Sequence, residues 1–164
     1  MVVDTLLNAG LFAAILASGL MAGFFYAFSI CVMRALAQRP AAEAMAAMQA
    51  INRVVLNPWF LPLFVGTALL VVALAVIALI QGVDASSICI AIGAAAYALG
   101  TFAVTMNFNV PLNNALAAAA SQDPASDRLW ADYLTVWTRW NHVRSLSALL
   151  SLACFAAAAM SRSG

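Results

Sequence analysis

Residues 59–80 read WFLPLFVGTALLVVALAVIALI, a run without a charged side chain and with one hydroxyl, Thr67. A helix crosses the ~30 Å hydrocarbon core of a bilayer with about 20 apolar residues, and this run meets that requirement. Leu11–Met33 and Ile88–Phe108 meet it as well. The fourth apolar run, Leu146–Met160, would cover only about 22 Å at ~1.5 Å per residue. Trp140, Asn141, His142, Val143 and Arg144 are therefore read at interfacial depth, with Arg144 reaching water from a helix end while its neighbours line a protein interior. The first run lacks a basic leader and is long for a signal-peptide core, so it too is read as a membrane helix.

Composition agrees. The chain has 164 residues, 66% hydrophobic and 8% charged, with a formal net charge of +1 and a mean hydropathy of +1.00. Soluble domains carry ~25% charged residues, so this chain cannot clothe a water-facing surface. Its small net charge excludes a disordered chain and a nucleic-acid binder. Cys31, Cys89 and Cys154 stand far apart in apolar stretches, which argues against disulfides and zinc. The expected fold is all-α: one integral membrane four-helix bundle over 1–164, with spans at about 9–33, 59–80, 88–108 and 137–160. The connections 34–58 and 109–136 should carry short helices.

Arginine placement orients the bundle. Arg34, Arg39 and Arg53 lie in one long connection, and Arg128, Arg139 and Arg144 lie between or near the ends of spans three and four; only Arg162 falls on the opposite side. The positive-inside rule puts both long connections in the cytoplasm and both termini outside, in an inner cell membrane. Within the first connection, Met45, Met48, Ile51 (or Asn52) and Val55 recur at helical spacing, as expected of a helix lying on the membrane or roofing the bundle. Asn57-Pro58 ends it. Pro111 is expected to break the third span after Asn109, followed by a short helix near 114–121. Asp123-Pro124 reads as the N-cap and first position of a long last helix.

Polar residues gather at the cytoplasmic end. Seven of the eight Asn and all four Trp lie there. Amides in or near hydrocarbon must find partners, at a cost of several kcal/mol otherwise. At 100° per residue, Trp137, Trp140, Asn141 and Arg144 fall in one arc of the last helix. Such an arc suits a planar, oxygen-rich or anionic aromatic ligand; it also suits a plain aromatic seam with Arg144 tied to helix carbonyls. Thr101, Thr105 and Asn109 share a face of the third span and either line a cavity or repair the proline kink. Gly19 and Gly23 form a GxxxG that allows close helix approach, within the bundle or in a homo-oligomer. His142 is the only imidazole and the one group expected to titrate near neutrality, as a catalyst or as a hydrogen-bonded bystander. No metal-ligand set is visible, while haem held by His142 and a Met stays open.

Gly23-Phe24-Phe25-Tyr26-Ala27-Phe28, Met48-Gln49-Ala50-Ile51-Asn52, Asn109-Val110-Pro111-Leu112-Asn113 and Trp137-x-x-x-Asn141-x-x-Arg144 occur in that order. Together they resemble the anthrone oxygenase-like family of small four-helix membrane proteins over nearly the whole chain. The resemblance implies a monooxygenase that oxidises a polycyclic aromatic or quinone-like substrate with dioxygen at the inner leaflet, without a cofactor. In that scheme Arg144, Asn141, Asn109 and Asn113 hold an oxyanion and His142 takes a proton. Asn52, Trp137, Trp140 and Tyr26 complete the substrate site. The rival reading is a non-enzymatic carrier or structural subunit in the lipid bilayer.

Overall fold

A computed structural model describes residues 2–119 and 126–163. It comprises α1 (Val2–Leu36), α2 (Ala41–Val54), α3 (Phe60–Gln81), α4 (Ala85–Ala118) and α5 (Ser126–Ser163). Every element among the described residues is helical. The helices α1, α3, α4 and α5 are each long and apolar enough to cross a membrane, and the chain is a multi-pass membrane protein. The expected Asp123-Pro124 cap and the end of the short helix at Ser121 lie outside the described residues.

The bundle is apolar on both sides of its helices, as a lipid solvent requires. Leu11, Met21 and Phe25 of α1 are buried against Val71 and Leu74 of α3, Ile90 and Tyr97 of α4, and Phe155 of α5. Phe12, Leu20, Leu69, Ile80, Leu99 and Leu146 point outward and are exposed, a surface that water would not tolerate. Small residues bring α4 and α5 together. A Cβ on Gly93 would stand 3.0 Å from the Cβ of Cys154 and 3.2 Å from the carbonyl of Ser151, and one on Gly100 would fall inside the Ser147 side chain. Gly19 of the GxxxG also packs within the bundle, since a Cβ there would meet Leu152 at 2.8 Å.

Ends are capped by local chemistry. Gly82 leaves α3 at φ 144°, a backbone conformation that only glycine adopts cheaply. Asp84 then starts α4: its carboxylate accepts from the Ser87 amide at 2.7 Å, while the Ser87 hydroxyl accepts from the Asp84 amide at 2.8 Å, a capping box. Those bonds from Ser87 hold the Asp84 carboxyl below its usual range. At the other end, Asn57 caps α3 through bonds from the Trp59 and Phe60 amides. The roof helix α2 inserts Met45 and Met48, both fully buried, into a cluster with Met33, Leu116, Trp130 and Tyr133, as its methionine stripe predicts. Gln49 ties it down by donating to the carbonyls of Leu116 and Ala119, at the end of α4 where carbonyls run short of helical donors; the Leu116 carbonyl also accepts from the Ala119 amide.

Pro111 does not break the third span. The helix runs on to Ala118 because the turn before the proline, Thr105–Asn109, is wound as a π-helix. The wider turn changes which carbonyl meets the proline ring and which lacks an amide donor. Further π-helical turns occupy Ala96–Ala103 of α4 and Phe28–Val32 of α1. Each of the three supplies side chains to the cavity beneath the roof helix: Phe28, Phe102, and Thr105 with Met106.

Candidate functional site: an aromatic cavity closed by a buried guanidinium

Beneath the roof helix lies a cavity of about 370 Å³. Its walls are rings. Helix α1 contributes Phe24, Phe25 and Phe28; α3 contributes Phe60 and Phe64; α4 contributes Phe102, and α5 Trp137. Spacing accounts for this, since Phe60 and Phe64, like Phe24 and Phe28, are four apart and share a helix face. The rings support one another: Phe60 and Phe64 stack at 5.7 Å between centroids, Phe64 and Phe102 at 5.3 Å. Leu61, Val65 and Met106, on facing parts of α3 and α4, line the cavity yet are 39%, 40% and 48% exposed. The cavity therefore opens sideways between these helices, toward lipid.

Four polar residues interrupt the apolar lining: Asn52, Thr105, Asn113 and Arg144. Arg144 is 5% exposed and lies between two ring faces, 4.4 Å from the Phe25 centroid and 4.9 Å from that of Trp137. It donates to the Asn141 side-chain oxygen at 2.6 Å and, at 3.4 Å, to the Thr105 hydroxyl. Two of its five N–H donors are thus used, and its Nε has no partner. Among the described residues the ion pairs are Arg39–Glu43 and Arg162–Asp4; none of these carboxylates serves Arg144. Removing a guanidinium from water costs several kcal/mol, whereas each cation–π contact returns ~0.5–2 kcal/mol. The site carries an uncompensated positive charge.

The surrounding amides hold this cation in place. Asn141, fully buried, donates to the Phe25 carbonyl at 2.6 Å and to the Ser29 hydroxyl at 2.7 Å, locking α5 against the π-turn of α1. Thr101 donates to the Arg144 carbonyl and Asn109 to the Trp137 carbonyl, locking α5 to α4. Tyr133 and Trp137 both donate to the Asn113 side-chain oxygen at 2.8 Å. The side-chain nitrogen of Asn52 and the side-chain oxygen of Asn109 are buried without a partner. Asn141→Leu should leave a carbonyl, a hydroxyl and the guanidinium unsatisfied, lowering stability by ~1–3 kcal/mol. Thermal unfolding in detergent, compared with Asn114→Ala, measures this.

The structure thus gathers Arg144, Trp137, Asn113 and Asn52 at the cavity, with Asn141 and Asn109 behind it. It does not bring the remaining expected residues there. Trp140 stacks on Phe108 with centroids 3.7 Å apart, outside the lining. Tyr26 is 58% exposed, about 100° around α1 from Phe25. His142 is exposed and lines a different hollow, with Ser29, Arg34 and Arg139. The walls Phe60, Phe64 and Phe102, and the tether Ser29, were not foreseen; the i, i+4 phenylalanine pair on α3 was the available signal. Among the described residues, no group of three or more His, Cys, Asp or Glu is placed to hold a metal.

Fold and site together define a small multi-pass helical membrane protein with an aromatic cavity, open toward lipid and electropositive at one wall. The chain belongs to the anthrone oxygenase family, whose model matches residues 56–154. That match takes in α3, α4 and most of α5, including Phe64, Phe102, Thr105, Asn113, Trp137, Asn141 and Arg144. No curated protein and no solved structure matches the chain.

Proposed function

We propose that the protein is a membrane oxidoreductase that uses dioxygen to oxidise a polycyclic anthrone-like substrate to a quinone, with Arg144 stabilising the substrate's oxyanion. The observation that carries this reading is the buried, uncompensated guanidinium at the wall of an aromatic cavity. An anthrone is a carbon acid whose conjugate base is a planar, delocalised oxyanion. Ring walls match its faces, and a fixed cation matches its oxygen.

The steps balance without a further reagent. The substrate's CH₂ carbon loses a proton to give the oxyanion, and that anion transfers an electron to O₂. A C–O bond then forms at the same carbon to give a hydroperoxide after protonation. Loss of water leaves the quinone carbonyl, so one atom of O₂ stays on the carbon and the other leaves as water. Arg144 acts on the first step by favouring the ionised form of the substrate, which lets hydroxide or water at the cavity mouth accept the proton. His142, expected to take it, faces the other hollow and has no part in this scheme. Asn52, with a free amide nitrogen at the cavity, is the second donor to the oxygen. The arginine distribution supports a cytoplasmic position for this end, and the opening between α3 and α4 would admit substrate from lipid.

A carrier would need a route to the opposite end of the bundle. Beyond Phe64 and Phe102 the interior is filled by Val71, Leu74, Ile90 and Tyr97, which favours an enzyme. The test is oxygen uptake by purified protein in lipid nanodiscs supplied with an anthrone. Quinone formed mole for mole with O₂ consumed, above the rate in empty nanodiscs, is the expected result. A rate equal to that of empty nanodiscs across a panel of anthrones and hydroquinones would overturn the reading.

A further inference from the structure

A second hollow, of about 450 Å³, lies between α1 and α5 and is separate from the aromatic cavity. Arg34 enters it from α1, Arg139 and His142 from α5, and the hydroxyls of Ser29, Thr135 and Thr138 complete its polar lining. Among the described residues, no carboxylate lines it. Both arginines are exposed, and neither is among the ion pairs of the described residues, whereas Arg39 nearby is paired with Glu43. The Thr138 hydroxyl is buried and has no hydrogen-bond partner. Two cations that line one hollow without a counter-charge among the described residues create a site for an anion with several acceptor oxygens.

The wall below this hollow tells which anion. Along α5, residues 139, 142, 146 and 149 recur at intervals of three and four, so they lie on one helix face. On that face the two basic residues give way to Leu146 and Leu149, 67% and 54% exposed. On α1, Ile30, one turn before Arg34, is 42% exposed. A charged head and an apolar tail would therefore meet a basic hollow and a lipid-facing leucine stripe in the same order.

We propose that this hollow binds the phosphate of an anionic phospholipid, with an acyl chain lying along Leu146 and Leu149. A free phosphate would use the arginines but not the stripe. The proposal does not rest on the oxidation chemistry, because none of the three basic residues lines the aromatic cavity.

The test is native mass spectrometry of the detergent-solubilised full chain titrated with phosphatidylglycerol and, separately, with phosphatidylcholine of the same acyl chains. Phosphatidylglycerol is expected to bind more tightly. Arg34→Gln and Arg139→Gln should each weaken it about fivefold, and the double variant about 25-fold, with a smaller loss for phosphatidylcholine, whose choline cation offsets the charge of its phosphate. Arg53→Gln, outside the hollow, should retain full binding. Inorganic phosphate at the lipid's concentration should not displace it. Equal binding of the two lipids would overturn the proposal, as would a double variant that keeps the preference. Displacement by inorganic phosphate at equal concentration would assign the hollow to free phosphate and overturn the lipid assignment.

Discussion

Arg144→Gln is expected to lower kcat/KM for anthrone oxidation by ~10²–10³, the usual loss on removing an oxyanion donor from a site that excludes water, while the bundle stays folded. The two consequences have one cause. Arg144 is buried against Phe25 and Trp137 with no carboxylate partner, so the charge that would stabilise an anionic substrate is a burden to the empty protein. Glutamine removes the charge and keeps a side-chain N–H₂ donor of smaller desolvation cost. The melting temperature should therefore hold or rise while activity collapses. Arg144→Lys should not rescue, because an ammonium lacks the planar face that lies between the two rings and is more strongly hydrated. Oxygen uptake and thermal unfolding on the same samples measure both. Retained activity in Arg144→Gln would remove this residue from the chemistry.

The second large effect concerns packing. Gly100→Val is expected to unfold the bundle or lower its stability by ~3 kcal/mol or more, because the new side chain has no room. Even the Cβ of Gly100→Ala would fall inside Ser147, whose own Cβ is fixed to the backbone of α5 and cannot rotate away. Alanine is the better helix former by ~1 kcal/mol, so a destabilised Gly100→Ala means that the clash outweighs propensity. Ser147→Gly should restore much of what Gly100→Ala loses, and the double-mutant cycle reports this coupling directly. The damage should also reach the cavity. The neighbouring Thr101 donates to the Arg144 carbonyl, so forcing α4 from α5 displaces the guanidinium and lowers activity as well.

Much of this arrangement was legible in the amino-acid order. Apolar runs identify three spans directly and the fourth once Trp140–Arg144 are read at interfacial depth, and the Met45 and Met48 stripe identifies an amphipathic helix lying on the membrane or roofing the bundle. Angular spacing along α5 puts Trp137, Asn141 and Arg144 on a common face, and it turns His142 away from Arg144 by two residues, about 200°. The cavity wall on α3 was not legible for a physical reason. Residues 59–80 are apolar on every side, so periodicity cannot tell the ring-bearing inner face of Phe60 and Phe64 from the lipid face of Leu69 and Ile80. The π-turns were hidden too. Each widens its turn and rotates the remainder of its helix relative to an unbroken α-helical count. Ser29 became the tether of Asn141, and Pro111 sat within a continuing helix, through turns that local propensity does not announce.

The account depends most on the claim that this cavity prefers the oxyanion of a planar aromatic molecule to its neutral form. A hydroxyanthraquinone that does not react with oxygen changes colour on ionising, so its proton equilibrium can be followed spectrophotometrically while bound. Bound to the wild-type protein, the dye should ionise ~1–2 pH units lower than when bound to Arg144→Gln, because a nearby cation favours the charged form. Ionisation at the same pH in both proteins, with the dye bound in each, would contradict the account.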